Sequence, residues 1–176
     1  EARYKTATFL VDHHWGNARE MADGLGVLLL TWNQAFYRYG QFDFARLERC
    51  IKKNMSDLDS LRARNILEFG ETDVHLVRRL FEEFSAALAI RSGVKEGTQS
   101  PVATAKALHL LARSFLPIWD DKIARGYGCH YAIDPVGKYL DFLRATQTIA
   151  ASLSKKLQNG AGGRSAIKVI DEYNFA

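Results

Sequence analysis

The run SPVATAKALHLLARSFLPIWDDKIAR, Ser100 to Arg125, decides how the rest of the chain is read. Ser100 followed by Pro101 is a helix start. The hydroxyl accepts from free N–H groups of the first turn, and proline brings the fixed φ that this position tolerates. The helix that follows is expected to have two faces, with Val102, Ala105, Leu108, Leu111 and Ala112 on an apolar stripe and Lys106, His109 and Arg113 on another. Phe115 to Trp119 is too apolar to lie in water, and Pro117 interrupts any continuous helix through it. Asp120 is therefore expected at an element boundary beside buried aromatic surface, with Asp121 next to it and exposed.

Upstream, Ser92 to Gln99 is a polar, glycine-bearing loop. It joins the Ser100 helix to an amphipathic helix expected to open at Thr72, in which Val77, Leu80, Phe81, Phe84 and Leu88 face in while Arg78, Arg79, Glu82 and Glu83 face water. Helix, loop and helix thus follow in close succession over residues 73–113. Earlier still, Ala18, Met21, Leu25, Leu28, Leu29, Trp32, Phe36 and Tyr39 mark a helical stripe that Gly24 and Gly26 are expected to break or bend and Gly40 to end. Phe44 to Lys53 carries Leu47 and Ile51 inward and its basic residues late, where they complement the helix dipole. Ser56 is expected to cap a short helix running toward Leu67. The first twelve residues alternate enough for a short strand and read as an N-terminal arm.

Downstream, Gly126 to Gly128 ends the short helix that bears the carboxylates. Asp134 and Pro135 open a long helix with Val136, Leu140, Leu143, Ala150, Leu153 and Leu157 on its stripe, closing through Lys155, Lys156, Asn159 and Gly160. Asn159 to Gly163 is the candidate mobile loop, and Ser165 to Tyr173 reads as a terminal helix. Helical periods nearly throughout, three prolines and no internal repeat point to an all-α protein, one domain over residues 1–176 with six or more helices around one core.

A chain of 176 residues with 47% hydrophobic content can bury about two-thirds of its unfolded surface, so no metal or disulfide is needed for folding. The net charge of +4 tilts toward polyanionic partners without singling out nucleic acid. Cys50 and Cys129 stand far apart, which suggests neither a disulfide nor a zinc or iron–sulfur site and points to reduced thiols in the cytoplasm. No apolar run approaches the ~20 residues of a membrane span. The start at Glu1, without methionine, suggests trimming and leaves a lost targeting segment open. Asp12-His13-His14 after Phe9-Leu10-Val11 resembles the manganese-binding Asp-His-His motif of a phosphoesterase family. The further aspartate motifs of that family are missing, so these residues are expected at a surface or a helix entry, with no metal and no cofactor.

Thr104-Ala105, the apolar helix after them and Leu116-Pro117-Ile118-Trp119-Asp120-Asp121-Lys122-Ile123-Ala124-Arg125 resemble the core of the helix-hairpin-helix DNA glycosylase superfamily, the group containing endonuclease III and the adenine-mismatch glycosylase. In that family a hairpin closes with Thr-Ala at the start of a helix. A catalytic aspartate then follows an apolar Pro-Ile or Val segment and opens a helix patterned Asp-x-x-apolar-x-Arg, as Asp120, Ile123 and Arg125 do here. The resemblance covers about 25 residues. It implies a nucleoid-associated enzyme that removes a modified or mismatched base from duplex DNA, with Asp120 catalytic; the oligomeric state stays open, a monomer being favoured.

Cleaving an N-glycosidic bond builds positive charge on the sugar, which a carboxylate in a water-poor pocket stabilises while it orients the attacking water. The flipped base needs apolar walls, for which Trp119, Trp32, Phe36 and Tyr37 are candidates, with Asn33 as a polar reader beside them. Gly97, Thr98, Gln99 and Ser100 are candidates for amide contacts to phosphate, and Lys106, His109, Arg113 and Lys122 for side-chain contacts. The family hairpin is Leu-Pro-Gly-x-Gly, where this chain has Gly97-Thr98-Gln99-Ser100-Pro101. Ala103 stands where lyase-type members carry a nucleophilic lysine, so the resemblance implies hydrolysis without strand cleavage unless Lys106 or Lys122 substitutes. The four-cysteine cluster of some members is absent, so no iron–sulfur centre is implied. Asp120 equally fits the N-cap of the helix it opens, and the two roles are compatible. The alternative on the same scaffold is a non-catalytic helical module that binds DNA or a protein.

Overall fold

Ala2–His13 is a helix, α1, and not a loose arm. Its sequence signal is faint because only Ala7 and Val11, one turn apart, are fully enclosed. What makes it a helix is its partner, Ala18–Trp32, α2, which Asn17 caps by accepting from the Glu20 N–H. A Cβ added at Gly24 of α2 would lie 3.0 Å from Val11 Cγ2 and 3.2 Å from the Val11 backbone nitrogen. Neither Gly24 nor Gly26 breaks α2. Gly24 admits α1 to close range, and Gly26 does the same for the ring of Phe44, 2.6 Å from where its Cβ would be. The computed structural model describes residues 2–157 and 166–175. The expected loop Asn159 to Gly163 lies outside the described residues.

The long stripe stops at Asn33, and a single turn, α3 (Gln34–Tyr37), follows. Helix α4 (Phe44–Lys53) has the expected bounds, with Asp43 accepting from the Ala45 and Arg46 N–H groups. Helix α5 (Met55–Arg62) begins after Asn54 and not at Ser56. Asn54 is buried because it is a junction: its amide donates to Glu83 at 2.8 Å and accepts from Arg79 at 2.6 Å. A 3₁₀ turn at Ile66–Glu68 leads to α6 (Glu71–Ala87). Asp73, in the first turn of α6, accepts from the Gly70 N–H at 2.9 Å and from the Arg64 guanidinium at 2.7 and 2.9 Å. Those bonds, Arg64's above all, hold its carboxyl below the ordinary range.

Residues 88–100 form the connection to α7 (Pro101–Leu111), so the helix, loop and helix expected over residues 73–113 are present. The loop closes on itself through Gly97 N–H to the Ile90 carbonyl, 2.9 Å, and Ile90 N–H to the Thr98 carbonyl, 3.0 Å. Gly97 has a φ of 78°, which favours glycine there. Helix α8 (Asp121–Gly126) follows the Pro-Ile-Trp segment, and α9 (Pro135–Leu157) starts at the expected Asp134-Pro135, where Asp134 Oδ1 accepts from the Gly137 N–H at 3.0 Å. Helix α10 (Ala166–Phe175) packs on α9.

The described residues are helical with no strand, and one cluster of buried side chains runs from Ala7 to Ile170. Helix α7 is its axis, contacting α1, α2, α6 and α9. Every residue from Ala103 to Ala112 is buried, and the Thr104 and Ser85 hydroxyls meet at 2.9 Å across α7 and α6. The expected wet, basic face of α7 is therefore corrected. Lys106 and His109 are 7% and 1% exposed. No described helix is long and apolar enough to cross a membrane.

Candidate functional site

The segment before Asp120 is pinned on both sides. His109 Nδ1 lies 2.7 Å from the Leu116 carbonyl, to which it donates, and the Tyr139 hydroxyl donates to the Pro117 carbonyl at 3.2 Å. Trp119 is fully buried, with ring centroids of Tyr131 at 5.3 Å, Tyr139 at 5.4 Å and Phe142 at 6.3 Å. Anchoring the chain one residue earlier in this way leaves Asp120 at the edge of the core. Its Oδ1 accepts from the Ile123 N–H at 2.9 Å and caps α8, while Oδ2 has no hydrogen-bond partner among the described residues.

Asp120 opens onto a shallow cleft of about 320 Å³. The end of α2 and the start of α3 contribute Trp32, Asn33 and Phe36, α7 contributes Val102 and Lys106, and Asp121, Lys122 and Tyr131 complete the wall. Lys106 Nζ donates to Asn33 Oδ1 at 2.9 Å and reaches the Trp32 carbonyl at 3.5 Å, 5.6 Å from the Trp32 ring centroid. An ammonium only donates, so it fixes the Asn33 amide with its oxygen toward Lys106. The amide nitrogen then donates to Ser100 Oγ at 3.4 Å. Burial pushes the Lys106 amine below its ordinary pKa, and the charge of Asp120 opposes that fall. Tyr4 of α1 stacks on Trp32 at 5.7 Å and backs this wall.

Asp121 is exposed but heavily bonded. Arg125 donates to it at 2.8 Å, and His130 Nε2 and the Tyr131 hydroxyl each lie 3.1 Å from Oδ1. The Arg125 guanidinium leads in holding its carboxyl down at about 2.

The structure thus brings Asp120, Trp32, Asn33, Phe36, Lys106 and Lys122 to one cleft. It places the other candidates elsewhere. Trp119 is core and not a cleft wall. Tyr37 is buried, its hydroxyl donating to the Leu88 carbonyl at 3.0 Å. Ser100 is buried as the cap of α7, and Gly97, Thr98 and Gln99 are exposed in the loop but do not line the cleft. His109 is interior, bonded to the Tyr4 hydroxyl at 2.8 Å. Arg113 is half-buried and bidentate on Asp12, at 3.0 and 2.8 Å. Arg62 shares the same carboxylate, which gives Asp12 of Asp12-His13-His14 a structural role. Among the described residues no three His, Cys, Asp or Glu gather to hold a metal ion.

Sequence reasoning missed Tyr131, whose only signal was an aromatic a few residues beyond the glycines that end α8. A wider groove of about 680 Å³ lies beside Ile123, Tyr127, Ile149 and Tyr173. Among the described residues Lys122 is the one charged residue on its lining. No family model, curated protein or solved structure matches the chain.

Proposed function

We propose that the protein is a DNA-glycosylase-like enzyme that releases a modified or mismatched base by hydrolysis, without strand cleavage. The observation that carries this reading is Asp120: one carboxylate oxygen caps α8 and locks the side chain, and the other is left over in a cleft that holds Trp32, Phe36 and the oriented amide of Asn33. A carboxylate fixed in this way meets developing positive charge on a sugar without reorganising. Trp32 and Phe36 offer ring faces to a base taken out of the stack, and Asn33 offers polar atoms to its edge. Lys122, exposed on the rim, is suited to a phosphate; of the loop amides, those of Gly97 and Thr98 are already committed to the Ile90 and Lys95 carbonyls. In this reading the protein acts on duplex DNA as a monomer.

Incubation of wild type and Asp120→Asn with a panel of damaged duplexes, scoring abasic sites after alkali, tests it. Asparagine is also a good N-cap, so α8 stays capped and the comparison isolates the charge. Base release is expected to fall by about 10²–10³-fold, the scale of losing one electrostatic stabiliser, with DNA binding retained. No release from any lesion together with no salt-sensitive DNA binding would overturn it. A second reading, a non-catalytic DNA- or protein-binding module, is favoured by the absence of Gly97, Thr98 and Gln99 from the residues that line the Asp120 cleft. It predicts binding that Asp120→Asn leaves unchanged and no base release by either protein.

A further inference from the structure

We infer that Lys106 is a second catalytic group of this cleft, delivering from its ammonium the proton that a departing base requires while Asp120 serves the sugar side. This rests on the hydrolytic reading above. The sequence makes Lys106 a candidate phosphate contact, yet the residue is only 7% exposed. It lines the same cleft as Asp120, and its amine is held beside the ring of Trp32 and the amide of Asn33, where a base would lodge. An ammonium has three donors. Asn33 Oδ1 and the Trp32 carbonyl take two, and the third remains for a ligand in the cleft. The groups that face or flank it are Asp120, which caps α8, Asp121 and Lys122 within α8, Tyr131 beyond it, His109 one turn along α7, and Tyr4 of α1 behind Trp32. Burial makes the amine a stronger acid than an exposed lysine, and the Asp120 charge opposes that fall.

The step balances without a further reactant. The bond from the sugar C1′ to the base nitrogen breaks with its electron pair moving to the base, which takes the proton from Lys106 Nζ. Water bonds to C1′ and yields its proton to Asp120 Oδ2. The products are a free base and a hydroxylated abasic sugar, and the neutral amine and protonated carboxyl exchange protons with solvent in the open cleft.

Three variants test it in single-turnover assays on two duplexes, one carrying the base the wild type excises and one carrying its ring-fluorinated analogue, a better leaving group. Lys106→Gln keeps a donor for Asn33 but no acid, Lys106→Met removes both, and Lys106→Arg keeps a charge that stays protonated. Lys106→Gln and Lys106→Met are expected to slow release of the ordinary base by about 10²–10⁴-fold, the range of general acid catalysis, and of the fluorinated base far less. Both should also lose the falling alkaline limb of the wild-type pH–rate profile, and Lys106→Arg should move that limb to higher pH. Asp120→Asn should slow both substrates alike. Equal losses on the two substrates in folded Lys106 variants, with the alkaline limb retained, would overturn the acid role while leaving the hydrolytic reading intact. A borohydride-trapped adduct through Lys106 would replace it with nucleophilic attack. A wild type that releases no base from any duplex removes both.

Discussion

At the residue scale, two carboxylates are held ionised by different means. Asp73 is nearly buried, and Arg64 grips both of its oxygens. Asp73→Ala leaves that guanidinium with Glu68 alone and the first turn of α6 without its side-chain acceptor, and is expected to cost about 1–3 kcal/mol in urea denaturation. Asp121 is exposed, and its low value comes from Arg125, Tyr131 and His130. Its folded pKa of about 2 lies below the ordinary 3.8, so its contribution is present above the ordinary value and is lost as pH falls through about 2. Thermal melting of Asp121→Asn against wild type should therefore show a small deficit near neutrality that closes between pH 3.8 and 2. Lys106 runs the other way. Its folded pKa lies below the ordinary 10.5, so the unfolded chain binds more protons in the window beneath that value. Wild type should thus gain stability over Lys106→Met as pH rises toward 10.5.

At the element scale, the glycines of α2 and α8 predict opposite outcomes for the same substitution. Alanine favours a helix over glycine by about 1 kcal/mol, but a methyl at Gly24 would press on the Val11 side chain and backbone nitrogen of α1. Backbone cannot swing aside, so Gly24→Ala is expected to destabilise by about 1–3 kcal/mol. Gly126, at the end of α8, has nothing within 4 Å of where its Cβ would stand. Gly126→Ala should raise stability by about 0.4–1 kcal/mol, read from the urea midpoint. The same pair explains what was legible. The bounds of α4 and the start of α9 follow from local caps, Asp43 and Asp134. Helix α1 carries no such local signal: its two enclosed residues, Ala7 and Val11, matter only in the presence of the notch at Gly24, which lies on another element.

At the scale of the whole molecule, Asp12 is a clasp. It joins α1 to Arg62 of α5 and to Arg113 just beyond α7. Each of these side chains is a third exposed. Asp12→Ala is accordingly expected to cost about 1–2 kcal/mol, between surface and buried pairs, with the loss shrinking in molar salt. The clasp also explains why Arg113 and His109 do not form a basic stripe: α1 lies over that side of α7, so residues that helical spacing alone assigns to water are enclosed.

The sequence by itself determined what depends on neighbours within a turn or two. Ser100-Pro101 starts α7 and Asp120 opens α8 beside a buried aromatic, because capping and proline geometry act over about four residues. Only the tertiary structure decided which faces are wet and which side chains share a cleft. Trp119 and Trp32 are both tryptophans beside helix ends, yet one fills the core and the other lines the cleft with Asp120. Lys106 faces that cleft from inside the protein because α7 is covered by α1, α2, α6 and α9 together. Exposure is a property of what packs against a residue, and no spacing along the chain encodes it.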